Sequence, residues 1–329
     1  MTGRKEEMPV KNPVHLEAAA GRLKRVGKAG TGLLAKLVRL YLILCFCFVI
    51  LYPVLYMLSK GLRSFPDLYD LSIVWVPKTF TLESFKLAFQ SMNYTKAALS
   101  TGGIALLATL LQLVSCSLAG YGFGRFNFPG KNLLFVLCLV SIMVPQQMML
   151  IPTFMQFKYF DLLGIGSVVQ LFTGSLPDLS DSAWTVVLPA LLANGIRGTM
   201  YIFIFRQFFR GIPKDLEDAA YVDGAGHVRT FLRIIIPNAG APFLIVFVLS
   251  LIWYWNDAVV TPFLFGSAES MSRNLLAVLA IVSGMEGNGY TEGLAVQEAG
   301  AVLMLLPPLI MYLFLQRFFV ESIDKTGLK

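Results

Sequence analysis

The sequence predicts an all-α polytopic membrane protein with six transmembrane helices. Three observations carry this. Of 329 residues, 56% are hydrophobic and only 14% charged, against about 25% charged in soluble domains. The apolar residues gather into six runs, each long enough for the roughly 20 helical residues that cross a ~30 Å hydrocarbon core. Those runs are continuous rather than alternating, unlike the roughly 10-residue strands of a membrane barrel.

The first run is Leu40–Ser59. Residues 1–39 before it form a mostly polar tail, loosely structured, with a candidate surface helix around His15–Lys28. No small-residue cleavage pattern precedes the run, so it reads as an anchor and not a signal peptide. The loop Lys60–Lys96 follows; Thr81 ahead of Glu83 and an apolar repeat through Phe85 predict a short surface helix there. The second run is Ala97–Tyr121 and the third Leu133–Met155. Met143, Met148, Met149 and Met155 surround Pro145 and mark a bend. Gln146 and Gln147 at that bend are candidates for a polar pathway, because helix-breaking prolines in membranes sit where protein or water satisfies the backbone. A plain packing kink predicts the same residues.

The fourth run is Leu188–Phe205, after a loop, Phe157–Ala183, turned by Gly164, Gly166, Pro177 and Asp178. The fifth is Phe243–Val260 and the sixth Leu294–Leu315. Arg197 in the fourth and Glu298 in the sixth are intramembrane charges, which usually face the bundle interior and often pair. A mutual ion pair, a substrate contact for Glu298, and span boundaries that leave either group in water are all open. Asn256 and Asp257 end the fifth run beside Trp253, Tyr254 and Trp255. Amide, carboxylate and aromatic faces suit a sugar, and an aromatic belt at the membrane interface has the same composition.

Lysine and arginine set the orientation. Nineteen of the 27 fall in the N-terminal tail, the loops between runs two and three and between runs four and five, and the segment after the sixth run. Both termini and the segment after the fourth run are therefore expected in the cytoplasm. The chain divides into a cytoplasmic tail (1–39), one membrane domain (40–320) and a C-terminal tail (321–329). The net charge of +7 follows this topology instead of forming one patch, so no nucleic-acid partner is implied. Cys45, Cys47, Cys116 and Cys138 lie inside spans without a C-x-x-C pair, and His15 and His227 stand alone. Neither a disulfide framework nor a metal site is supported. No phosphate-binding loop, G-x-S-x-G or H-E-x-x-H pattern occurs. The chain is read as having no catalytic residues and no cofactor of its own.

The polar loop 211–242 is the most distinctive segment. Pro213 suits a first helical turn, and Asp215, Glu217 and Asp218 then meet the positive end of the helix dipole. Ala219 and Ala220 keep the next turn slim, and Gly224 provides a left-handed cap. Val228, Phe231, Leu232, Ile235 and Ile236 form an apolar stripe on a second helix running to Pro237, with Arg229 and Arg233 turned elsewhere. On physics alone the loop is either a docking surface or an amphipathic hairpin that seals the bundle.

Asp218-Ala219-Ala220, Asp223-Gly224-Ala225, Phe231, Pro237 and Pro242 resemble the EAA motif of binding-protein-dependent ABC importer permeases. The resemblance extends to Leu118–Phe126 with Phe128-Pro129-Gly130, to Arg206-Gln207-Phe208-Phe209 with Ile212-Pro213, to Trp255-Asn256-Asp257 and to Gln316–Val320. It covers roughly Phe80 to Val320 and is most similar to the maltose-type, carbohydrate-uptake branch. Asp218 stands where the family usually has Glu, and Glu298 where it has an apolar or small residue. The resemblance implies the ABC importer permease fold, with a cytoplasmic coupling helix docking an ATPase through Glu217, Asp218, Ala219, Ala220, Asp223, Gly224 and Ala225. It further implies a second permease subunit in a heterodimer, a dimer of ATP-binding subunits holding ATP and Mg, an extracytoplasmic solute-binding protein, and a sugar or oligosaccharide cargo moved through the cell membrane. A non-sugar solute is the alternative cargo. An ion-coupled secondary transporter is the alternative class, with too few intramembrane charges for an ion relay.

Overall fold

The computed structural model describes residues 13–264 and 290–326. Helix α1 runs Pro13–Gly61 without interruption through Pro53. From Pro13 onward, the expected tail and its separate surface helix are continuous with the first apolar run. Pro13 sits in the opening turn and Ala18, Ala19 and Ala20 follow, an arrangement that starts and propagates a helix well. The chain divides into two compact units, Met1–Tyr56 and Met57–Lys329. In the first, Phe46, Val49 and Ile50 are exposed, a surface suited to lipid or to another membrane chain.

The second unit begins with a folded loop. Beside the short α2 (Phe65–Leu68), Asp67 accepts hydrogen bonds from the Thr79 amide and hydroxyl, both at 2.8 Å. The Thr79 amide above all holds the Asp67 carboxyl below the usual carboxylate range. Arg63 donates to the carbonyls of Ile73 and Val74 at 3.0 and 2.7 Å. The predicted surface helix is α3 (Glu83–Ser91), opened by Thr81 Oγ1 accepting from the Glu83 amide at 3.1 Å.

Helix α4 (Tyr94–Arg125) is the central element. It packs on α8 (Trp184–Leu191), α9 (Gly198–Gly211) and α13 (Gly240–Trp255). The core between them holds Cys116, Tyr121, Tyr201, Phe205, Phe209 and Val246. Gly120 lets α4 and α9 approach closely, as small residues do between membrane helices. A β-carbon there would stand 2.5 Å from Phe205 Cβ and 3.0 Å from the Arg206 amide nitrogen. Gly120→Val is therefore expected to cost about 1–3 kcal/mol through overpacking, read as a lower melting temperature of the purified protein. An unchanged melting temperature would show that the two helices can part without penalty.

One predicted span is bent, and a second bend joins the polar loop to the fifth run. Helix α5 (Lys131–Ser141) turns by 99° at Pro145 into the segment Gln146–Thr173, which contains a 3₁₀ turn (Gln146–Met149), α6 (Leu150–Lys158) and α7 (Ile165–Thr173). After α10 (Asp215–Val222), the stretch His227–Asn238 meets α13 at 79°. That stretch is not the regular second helix expected to run to Pro237. It comprises α11 (His227–Thr230), a π-turn (Phe231–Ile235) and α12 (Ile236–Asn238). Pro237 accounts for the widened turn: its ring displaces the carbonyl four residues back and its nitrogen donates nothing. Asn238 Nδ2 instead donates to the Ile234 carbonyl at 2.7 Å.

By length and composition, three helical segments suffice to cross a membrane: Ala35–Gly61, Tyr94–Arg125 and Thr291–Phe318, the last within α15 (Tyr290–Thr326). Counting each bent pair as one span gives up to five. The expected fourth span, Leu188–Phe205, is not one helix. It is α8 and α9 parted at Leu192–Arg197, where Ala193 and Arg197 take φ of 58° and 59°. Pro189 inside α8 contributes to the break, its carbonyl accepting from the Asn194 amide at 2.8 Å. After α13 comes the short α14 (Val260–Leu264). Glu269, Arg273 and Glu286 of the following loop lie outside the described residues.

Candidate functional site

Helix α10 gathers Asp215, Glu217 and Asp218 in its first turn, as its dipole favours. The sequence pattern leaves open which of them face out. Glu217 and Ala220, three residues apart on one face, are buried, while Asp215, Leu216, Asp218, Ala219, Val222 and Asp223 are exposed. Glu217 Oε1 lies 3.0 Å from Arg125 Nε at the end of α4, both side chains at least nine-tenths buried. It is a contact of charges rather than an aligned hydrogen bond, since neither atom has a well-directed hydrogen-bond partner. Burial raises the Glu217 carboxyl above its ordinary range, with the Arg125 charge opposing. Arg125 also donates to the Ile212 carbonyl at 2.5 Å. One guanidinium thereby holds both the approach to α10 and its first turn.

Gly224 ends α10 with φ +79°. The Ala225 amide reaches the Ala220 carbonyl at 2.9 Å and the Gly224 amide the Tyr221 carbonyl at 3.0 Å. This pair of bonds is the Schellman closure. Across the turn, Tyr221 Oη and His227 Nδ1 are 2.9 Å apart. Beneath it Tyr121 packs on Phe231 and Phe209, with ring centroids at 4.8 and 5.9 Å. Of the stripe predicted on the second helix, Phe231 and Ile235 are buried, whereas Val228 and Leu232 are 73% and 56% exposed. The π-turn rotates the face by about a residue, which helical spacing could not anticipate.

A second feature is a cavity of about 510 Å³ bounded by α5, α6, α8 and α9, with Gln146, Gln147, Asn194, Arg197, Thr199 and Tyr254 in its wall. The bend and the break described above create it. The buried Gln112 supports the break: its Nε2 donates to the Ile196 carbonyl at 2.9 Å, and its Oε1 accepts from Tyr254 Oη at 2.5 Å. A lone amide in the apolar run of α4 was the available signal for this network, and Arg125 at the end of that run was the signal for the ion pair.

Asn256, Asp257 and Glu298 lie elsewhere. Asp257 caps α14, accepting from the Val260 and Thr261 amides at 3.0 and 2.6 Å. Asn256 Nδ2 donates back to Ile252 at 2.9 Å. Glu298 is half-buried on α15 and does not line the cavity. Arg197 rests over the Trp253 ring, 4.4 Å from its centroid. Among the described residues the ion pairs are Lys78–Asp70 and Arg125–Glu217, so the pairing of Arg197 with Glu298 that the sequence left open is not made.

Known proteins resemble this arrangement over most of its length. The arabinooligosaccharides transport system permease protein AraQ of Bacillus subtilis is 27% identical over 282 residues, covering 85% of this chain and 90% of that protein. The trehalose transport system permease protein SugB of Mycobacterium tuberculosis is 27% identical over 279 residues, covering 85% and 92%. The crystal structure of a bacterial ABC transporter involved in the import of the acidic polysaccharide alginate contains a chain of the same fold. The TM-score is 0.67 at 19% identity, with 86% of this chain and 95% of that chain covered. Residues 117–325, from the last turns of α4 through α9, α10 and α13 into α15, match one family throughout, and the protein belongs to it: the binding-protein-dependent transport system inner membrane component.

Proposed function

We propose that this chain is one permease subunit of an ATP-driven importer, with α10 as the coupling helix that seats in a groove of the ATPase subunit. The observation that carries this is the exposed, acidic α10, closed by Gly224 and bound to the end of a membrane helix by the buried Arg125–Glu217 pair. Motion imposed on α10 would reach α4 through that pair and α13 through the packed π-turn. Both termini and α10 face the cytoplasm on this reading, and Asp218, Ala219, Asp223 and Gly224 present the docking face, while Glu217 and Ala220 face inward. A second permease, a dimer of ATP-binding subunits carrying ATP and Mg, and an extracytoplasmic solute-binding protein complete the assembly. The relatives named for arabinooligosaccharides and trehalose support a sugar or oligosaccharide cargo, with Gln146 and Gln147 on its path.

The test is purification of the tagged chain from the membranes of its own host. ATP hydrolysis is expected to accompany it and to rise when solute-binding protein loaded with sugar is added. A chain that comes out alone, with no ATPase activity, would refute the importer reading.

A further inference from the structure

Among the described residues, Arg197 is the one cation in the wall of the cavity, and no aspartate or glutamate lines that wall. Its depth is set by α9, whose 14 residues rise about 21 Å from the end that leads into α10. With α10 at the cytoplasmic surface, Arg197 lies inside a hydrocarbon slab ~30 Å thick. A charge there is costly and marks a pathway or a partner. Among the described residues it has no carboxylate partner, and Asp257, close by in sequence to Trp253, is committed to capping α14.

The arrangement is also built and held. Arg197 precedes α9 in a left-handed conformation, φ 59°. The carbonyl of the residue before it is fixed by Gln112, which is fully buried and is itself held by Tyr254. The guanidinium carbon lies over the Trp253 ring, 4.4 Å from its centroid. Among the described residues its N–H donors make no ion pair, and a guanidinium presents them as a fork that matches a carboxylate. Gln146, Gln147, Asn194 and Thr199 add amides and a hydroxyl suited to sugar hydroxyls. The volume is within the range of small-molecule sites.

We propose that this cavity is a binding site on the transport path for an acidic saccharide, with the sugar carboxylate on Arg197. The proposal rests on the importer reading above and narrows its cargo from saccharides in general to acidic ones.

The test uses the complete importer in lipid nanodiscs without its solute-binding protein. Equilibrium dialysis compares a galacturonate dimer with a neutral galactose dimer of equal length. The acidic dimer is expected to bind at least ~10-fold more tightly, since hydrogen bonds to charged groups exceed neutral ones. Arg197→Gln should abolish that preference, so that the acidic and neutral dimers bind with similar affinity. Arg197→Lys keeps the charge without the fork and should retain part of the preference. Equal binding of both dimers by the unaltered importer would overturn the proposal, and so would an undiminished preference in Arg197→Gln. Failure of both variants to assemble would overturn it too, assigning Arg197 to structure. The importer reading fails separately, if the unaltered complex hydrolyses no ATP.

Discussion

Gly224→Val is expected to leave the protein in the membrane while cutting solute uptake by at least ~10-fold. Space is not the obstacle, because a β-carbon on Gly224 would meet nothing within 4 Å. The backbone angle is the obstacle. At φ +79° a side chain collides with its own backbone, at roughly 1–2 kcal/mol for L-residues in that region, and a β-branched residue falls at the upper end. The protein escapes by giving up the two closing bonds from Ala225 and Gly224, so α10 loses its fixed angle to α11. At 1.4 kcal/mol per factor of ten, that is enough to depopulate the docked geometry tenfold. Gly224→Ala should fall between the two. Uptake by cells, measured beside the ATPase rate of the purified complex, separates coupling from assembly. Normal uptake by Gly224→Val, at normal protein level, would remove α10 from the proposed mechanism.

The largest stability effect is expected at the ion pair. Arg125→Ala leaves Glu217 buried without its counter-charge, and Glu217→Ala does the same to Arg125. Breaking a buried pair from one side costs about 3–5 kcal/mol. Replacing both, Arg125→Met with Glu217→Leu, should restore most of the stability, because apolar pairs of similar volume substitute well for buried ions. The sign of the pH dependence gives a second readout. Burial already raises the Glu217 carboxyl above its ordinary range, so the folded protein holds that proton more readily than the unfolded chain. The stability this linkage contributes is complete below the unfolded carboxylate range and is lost as pH rises through the folded value. Removing Arg125 removes the opposing charge and raises the carboxyl further. Arg125→Ala should therefore be less destabilised at pH 5 than at pH 8, as read by thermal melting in detergent. Equal deficits at both values would mean that Glu217 in the variant reaches water.

The sequence showed helix type and rough position because twenty-residue apolar runs have few alternatives in lipid. It did not show where those helices stop being straight. Pro145 announced one bend, and its size, 99°, depends on the cavity wall it folds against. The break in the fourth run was not read from Pro189, because its backbone solution relies on Gln112 and Tyr254, 84 and 58 residues from Ile196. In the α10 loop, composition predicted the helix, its acidic start and its glycine stop. It did not assign Glu217 inward and Asp218 outward, because adjacent carboxylates differ only in which one meets Arg125. The π-turn was invisible for a similar reason: a proline at position 237 is compatible with either a kink or a widened turn.

The break in the fourth span also bears on how the molecule is made. Helix α8 has eight residues, about 12 Å of rise, less than half of what a bilayer demands. Emerging alone, it would have no reason to stay in lipid, and the unwound Leu192–Arg197 would expose bare peptide groups to hydrocarbon. Its retention is secured by earlier and later parts of the chain: Ser115 takes up the Ala190 carbonyl at 2.7 Å, Gln112 that of Ile196, and Tyr254 arrives from α13. The break is thus closed only by α4 before it and α13 after it, through the same residues that shape the cavity.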